Sequence, residues 1–458
     1  MRITLSGLPG PVADALSPLL AAHDVTSVGG QDPDRAVSPE LTDCDVLIIA
    51  PARPTNDLAV LDAATRGLFH VLTATSAPQV ILLSSMAVFA DVPPGWAIDH
   101  EWYPQPGSAA RPVAAYLAEL TARELARTAR WRATAVRGPA DLDTTATDAV
   151  ARVATAIAEL VGTEPPLPWQ VIHAVEPEPS ITGEPTWPPR PGPFTGPTEP
   201  QRITVYGAGG PLGASLLQVA VDEDSEVELL VSDARSFEEL VAAPPQSPTA
   251  PRPTEVPAPH RYTQVDVTDP VAVADAAEGA DCLINCSVVR TDVDLAFRVN
   301  TLGAWNVMQA AVLHGIGRVV QSGPTQAIEA HPYGHLIDRA VHPETPPHPA
   351  DGLYFLTKFL GQEICRLVAG GHGIACPVLL FNQLLTPEKH TRRYAPLTIS
   401  WRDAGRALLA AARVKSLTDP TQVLHIGVEA PHDRYQLRPA REVLGWEPLD
   451  RLDGAWHA

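Results

Sequence analysis

The 458-residue chain is poor in cysteine and in positive charge, and each shortage removes a class of protein. Its five cysteines (Cys44, Cys282, Cys286, Cys365, Cys376) include no C-x-x-C pair, so neither a disulfide framework nor a zinc site is expected. With 33 Lys and Arg against 53 Asp and Glu, the formal charge is -20, and its field repels phosphate backbones and anionic lipid. Nucleic acid and membrane are therefore not expected partners. No apolar run is long enough to span a bilayer, and "MRITLSGLPGPVADAL" lacks a signal peptide's unbroken apolar core. A cytoplasmic location is expected. A small anionic ligand stays open, because a few arginines and backbone amides outweigh net charge at one site.

Proline is abundant, and two clusters of it punctuate the chain. Residues 177–200, "PEPSITGEPTWPPRPGPFTGPTEP", hold nine prolines in 24 positions, which excludes helix and central strand and favours an extended spacer. Residues 244–259, with seven prolines in 16, interrupt a regular pattern and read as a long surface loop. The expected organisation is a domain over 1–176, a linker over 177–200 and a domain over 201–458.

The two sides of the linker repeat one another. "RITLSGLPGPVADAL" from Arg2 aligns without a gap on "RITVYGAGGPLGASL" from Arg202, Gly7 on Gly207 and Gly10 on Gly210. "DCDVLIIAPARPTNDLAVLDAATRGLFHVL" parallels "GADCLINCSVVRTDVDLAFRVNTLGAWNVM", in the same order, which predicts a tandem duplication. Short β-branched runs such as "EVELLVSD" alternate with apolar-periodic segments such as "YFLTKFLGQEICRLVAGG". That alternation predicts βαβ units, and so an α/β fold of two doubly wound parallel-sheet domains.

In the second half Gly207, Gly210 and Gly213 lie between a strand and a helix, spaced to let backbone approach a pyrophosphate at the helix N-terminus. Asp233 ends the next strand, 20 residues after Gly213, where a carboxylate accepts ribose hydroxyls and repels a 2'-phosphate. NAD is the expected cofactor. NADP stays open because Arg235, two residues on, could accept that phosphate. The first half has Ala13 for the third glycine, Pro9 inside the turn and no clear acid in "VTSVGGQDPD", so cofactor binding is not expected there.

Tyr354 and Lys358 stand four residues apart, on one face of a predicted helix. An ammonium beside a phenol stabilises the phenolate, which suits the tyrosine to exchange a proton with a substrate hydroxyl during hydride transfer. Over residues 202–448 these motifs together resemble the extended short-chain dehydrogenase/reductase family, the NAD-dependent epimerase/dehydratase group. The resemblance implies a Rossmann-type domain with a small C-terminal substrate lobe, and a Ser/Thr-Tyr-Lys catalytic group. It also places Asp266 and Val267 of "VDVTD" at adenine and implies Asn300 of "FRVNTLGAWNV" as a further cofactor-binding residue. In this alignment the catalytic Ser/Thr position falls on Pro324, with Thr325 the stand-in and Ser322, two residues before, a substrate-facing hydroxyl. The first half has Ser85 and Tyr116 at the catalytic positions but Leu120 for the lysine, and reads as a retired, structural copy forming an internal pseudo-dimer.

Only about seventy residues follow Thr386, which favours a compact substrate. "HPADGLYFLTKFLGQE" and "LTPEKHTRRYAPLTISWRDAGRALLAA" resemble the uronate dehydrogenases, which implies Arg393 as a substrate-facing guanidinium, with Arg392 adjacent. His331, His335, His342, His348 and His390 lack metal-ligand spacing. The expected function is an NAD(P)-dependent oxidoreductase of a small sugar or sugar acid. Alternatives are a dinucleotide-binding protein with little or no catalysis, serving as a sensor or assembly subunit, and a nucleotide-sugar epimerase or dehydratase; a small-molecule substrate is the expected partner, and further homo-oligomerisation beyond the internal pseudo-dimer stays open.

Overall fold

The computed structural model describes residues 1–93, 96, 98–140, 147–175, 193–223, 226–244, 251–325, 341–386, 397–429 and 435–450. Contacts divide the chain into two compact units, Met1–Arg190 and Pro191–Ala458, with the boundary inside the first proline cluster. Most of that predicted linker lies outside the described residues.

In the first unit six strands, β1 (Arg2–Ser6), β2 (Asp24–Val28), β3 (Val46–Ile49), β4 (Gln79–Ser85), β5 (Arg132–Gly138) and β6 (Trp169–His173), form one sheet. Its order is β2-β1-β3-β4-β5-β6, and every pairing is parallel. β3 and β4 are buried along their whole length, which is why "VLII" and "QVILLSS" read as runs without alternation. The 17-residue helix Ala110–Ala126 covers one face and buries Tyr116, Leu120 and Glu119.

The second unit begins with a short strand, β7 (Phe194–Thr195), drawn from the end of the proline cluster. It is followed by β8 (Arg202–Tyr206), β9 (Glu228–Asp233), β10 (Arg261–Gln264), β11 (Cys282–Asn285), β12 (Val319–Pro324), β13 (Cys376–Phe381), β14 (Leu384–Leu385), β15 (Ile399–Ser400), β16 (Ser416–Leu417) and β17 (Thr421–His425). The main sheet runs β10-β9-β8-β11-β12-β13-β17, parallel throughout, so the chain reverses direction of travel between β8 and β11. That is the Rossmann arrangement with one strand added, and ligands of such sheets lie at the carboxyl edge of the reversal.

Two details qualify the expected small lobe. β17 is the seventh strand of the main sheet, and the helix Trp401–Ala412 packs on Pro211–Asp222 so closely that a Cβ on Gly405 would stand 2.6 Å from Ser215 O. Much of the described chain after Thr386 therefore belongs to the sheet's own layers. β7 pairs antiparallel with β16, and Phe194 is buried with Ala375, Val414 and Leu417, an edge position that a neighbouring proline tolerates.

Candidate active site

The glycine turn follows β8 directly. Gly207 has φ +76° and a Cβ there would meet Ser287 N at 2.6 Å, so only glycine lets the loop after β11 lie against it. A Cβ on Gly213 would stand 2.5 Å from Ala208 Cα, which is why the first turn of the helix can seat on the strand end. Gly210 is the N-cap of Pro211–Asp222 and offers no side-chain acceptor to the helix's first N–H groups.

Asp233 ends β9 buried, its Oδ1 accepting from Arg235 Nε at 2.7 Å and its Oδ2 from Arg235 Nη2 at 3.3 Å. Both side chains pack on Gly209, where a Cβ would meet Asp233 Oδ2 at 2.3 Å and Arg235 Nη2 at 2.7 Å. Arg235 is thus committed to the carboxylate, whose hydrogen bond raises its pKa further. The exposed Asp266 accepts from Thr268 N at 2.9 Å; Val267 is buried and passes its carbonyl to Asn306 Nδ2 at 2.8 Å. A Cβ on Gly303 would stand 3.0 Å from Val267 Cγ2, so that glycine brings the two segments together.

Tyr354 and Lys358 lie on the helix Leu353–His372, as the spacing predicts. Lys358 is 2% exposed, and its Nζ donates to Ser287 O at 3.0 Å. Burial pushes the Lys358 pKa down to about 8, with Arg290 adding to the fall and the thiols of Cys286 and Cys365 opposing it. The Tyr354 pKa is raised, because burial outweighs the opposing Arg290, whose guanidinium lies 5.1 Å from the ring centroid. In this state the cation on the phenol is Arg290, while Lys358 serves a backbone carbonyl.

Asn300 sits in a π-helical turn, Phe297–Leu302. It takes Val289 N at 3.0 Å and gives its amide protons to Val289 O at 2.7 Å and Thr357 Oγ1 at 2.9 Å. Its role is to fix the loop 285–290 against the tyrosine helix. Gly361 makes that packing possible, since a Cβ there would be 2.2 Å from Asn300 O. The glycine turn, this loop and the Tyr354–Lys358 helix are thereby brought together.

β12 ends at Pro324, which pairs with Phe381 at the end of β13, a strand terminus where a missing N–H is tolerated. Ser322 gives its proton to Asn285 O at 2.9 Å, within the sheet. Thr325 is 1% exposed, and its Oγ1 has no hydrogen-bond partner among the described residues; Ser287 Oγ is likewise buried and unpartnered. Unsatisfied buried hydroxyls at the carboxyl edge fit a site built for a ligand. Arg393, Arg392, His331, His335 and His390 lie outside the described residues. Sequence reasoning missed Arg290 and Gly361. The former carries no motif, and the signal for the latter was a glycine one turn beyond Thr357 in a helix interior.

Residues 203–424 match the NAD dependent epimerase/dehydratase family. The match spans the turn, Asp233, the loop after β11 and the tyrosine helix. No curated protein matches the chain. Among solved structures it is similar to a mutated uronate dehydrogenase, 21% identical, covering 56% of this chain and 83% of that one at a TM-score of 0.46. A glucuronic acid dehydrogenase from Chromohalobacter salexigens is 21% identical, covering 56% and 86% at 0.46. A mutant uronate dehydrogenase from Agrobacterium tumefaciens complexed with NAD is 21% identical, covering 56% and 86% at 0.44.

In the first unit the corresponding positions do other work. Ser85 caps the turn that follows β4, accepting from Ala87 N at 3.1 Å, and the Tyr116 hydroxyl meets that of Tyr103 at 2.8 Å. Leu120 is buried, and beside it Glu119 holds Arg137 through bonds of 2.9 and 2.7 Å and accepts from Ser84 Oγ at 2.5 Å.

Proposed function

We propose that the second unit is an NAD-dependent oxidoreductase acting on a small sugar or sugar acid. The observation that carries this reading is Lys358, buried at the carboxyl edge of the sheet on the loop that packs against Gly207. No carboxylate pairs with it among the described residues, and its burial costs stability, so its placement is explained by a ligand rather than by the fold.

Gly207, Gly210 and Gly213 would hold the pyrophosphate, Asp233 the adenosine ribose, and Asp266 with Val267 the adenine. The Arg235 pairing favours NAD over NADP, because the guanidinium is spent on Asp233. Bound there, the nicotinamide supplies the acceptor for the hydride that leaves the substrate carbon. The chain supplies the proton path: Tyr354 takes the proton of the substrate hydroxyl as the carbonyl forms, with Arg290 the cation on its phenol and the Lys358 ammonium one helical turn on, and Thr325 Oγ orients that hydroxyl. Arg290, already on Tyr354, is a further guanidinium for a sugar-acid carboxylate, alongside Arg393.

The first unit is proposed as a duplicated, non-catalytic copy. Supporting this are its parallel sheet with the same reversal, Gly29 at the register of Asp233, and Leu120 for the lysine. A second reading, a dinucleotide-binding protein without turnover, draws on Pro324 at the serine position and on the raised Tyr354 pKa.

The test is to mix the purified protein with NAD or NADP and a panel of uronates, aldoses and nucleotide sugars, and to follow reduced nicotinamide. Tyr354→Phe serves as control. Turnover lost in Tyr354→Phe is the expected result. Thermal stabilisation by NAD without any turnover supports the second reading, and a rate that Tyr354→Phe leaves unchanged refutes the proton path.

A further inference from the structure

The central strands of the second unit carry two side-chain amides where a parallel sheet covered on both faces calls for apolar residues. Asn285 and Gln321 lie opposite one another on β11 and β12, each 1% exposed, and the pairs before them, Leu283 with Val319 and Ile284 with Val320, are apolar. The first unit shows that such a sheet does not need amides at this place. There the last residue of β3, Ile49, lies opposite Leu82 of β4, as Asn285, the last residue of β11, lies opposite Gln321. The amides of the second unit therefore call for an explanation other than the sheet.

They form a chain with a direction. The N–H of Ser287 can only donate, and it gives its proton to Asn285 Oδ1 at 3.1 Å. Asn285 Nδ2 is thereby turned to Gln321 Oε1 at 3.0 Å, and Gln321 Nε2 gives its proton to Ser322 O at 3.0 Å. With a backbone donor at one end and a backbone acceptor at the other, each amide has one orientation that satisfies its neighbours. Ser322 closes the ring by donating from Oγ to Asn285 O at 2.9 Å, and Cys365 Sγ on the tyrosine helix approaches Gln321 Oε1 at 3.7 Å.

The two ends of the chain lie on the two walls of the candidate site. Ser287, at the donor end, packs its N–H on Gly207 and receives Lys358 on its carbonyl, and three residues on Arg290 reaches Tyr354. Ser322, at the acceptor end, spends both its carbonyl and its hydroxyl inside the chain and stands three residues before Thr325, whose Oγ1 has no partner among the described residues. We propose that Asn285 and Gln321 are positioning residues: their amides fix the Ser287 carbonyl against Lys358 and hold the loop after β11 in register with the end of β12. The proposal rests on the reading of this cleft as an NAD site. It gives the buried pair a role that the apolar Ile49 and Leu82 cannot fill, since neither side chain can orient a backbone N–H.

The test compares the full-length parent with Gln321→Leu and with the double variant Asn285→Ile/Gln321→Leu, which installs the first unit's pair. Gln321→Leu leaves Asn285 Nδ2 buried without its acceptor and is expected to lower the melting temperature; the double variant, with neither amide present, is expected to melt at or above the single one. In the double variant NAD should bind about tenfold more weakly or worse. Urea unfolding between about pH 8 and 10.5 reads the second consequence. Once the Ser287 carbonyl is released, water reaches Lys358, so the rise in stability with pH that the buried ammonium gives the parent should shrink by about half or more. Cys286, Cys365 and Arg290, the other titratable groups around that ammonium, are the same in all three proteins. A double variant that keeps the parent's NAD affinity or its pH profile overturns the proposal, and so does one less stable than Gln321→Leu, because the amides would then serve the fold alone. A parent that binds no NAD refutes the oxidoreductase reading, and the pH profile still decides the role of the amides.

Discussion

Replacing Lys358 by methionine should stabilise the protein at neutral pH while removing the proposed oxidoreductase activity. The lysine pKa falls from 10.5 to about 8 on burial. At about 1.4 kcal/mol per pKa unit that shift is on the order of 3 kcal/mol spent on holding the charged form inside. Against it stands one hydrogen bond, Nζ to Ser287 O at 3.0 Å. Leaving that carbonyl unpartnered costs about 1–3 kcal/mol, so the net gain for Lys358→Met at pH 7 is about 1 kcal/mol. The pH dependence is the sharper signature. Because the folded pKa lies below the unfolded one, the unfolded chain binds more protons between pH 8 and 10.5, and the cost of Lys358 shrinks as pH rises through that window. The stability difference between variant and parent should therefore be constant below about pH 8 and move by about 3 kcal/mol toward the parent as pH approaches 10.5. Urea unfolding of both proteins at pH 7, 8, 9 and 10 measures it. A difference that is independent of pH, or that moves in favour of the variant at high pH, refutes the account of the buried ammonium.

Asp233→Ala should weaken NAD binding by about 10- to 100-fold through loss of a charged hydrogen-bonding partner for the ribose, and should narrow the preference over NADP by releasing Arg235; titration with each cofactor reads both. Gly213→Ala puts a Cβ 2.5 Å from Ala208 Cα, so the helix must lift off the strand end, and cofactor binding should be lost in fluorescence titration even if the fold survives. Glu119→Leu strands the buried Arg137 guanidinium and should destabilise the first unit by about 3–5 kcal/mol in chemical unfolding, while dinucleotide binding by the second unit persists.

The glycine spacing, the acid at the end of a strand and the tyrosine and lysine four apart are local patterns, and each was legible because its chemistry depends on neighbours within a turn or two. Alternation of buried runs with periodic segments likewise settled parallel sheets, since strands covered on both faces must read as continuous apolar stretches. The sequence could not show that β17 joins the sheet or that Phe194 leaves the proline cluster to pair with Leu417, because both depend on partners far along the chain.

Tertiary structure also decided the electrostatics of the site. The sequence places Lys358 beside Tyr354, but the loop after β11 sends Arg290 to the phenol and Ser287 to the ammonium. Burial then moves both pKa values against the charged forms. The alternation of apolar runs with periodic segments on both sides of the proline cluster pointed to two α/β cores. Only the fold decided that Gly207 lies against Ser287 in one unit and Gly30 against Ala52 and Gly7 in the other, because close approach between segments is a property of packing and not of local pattern.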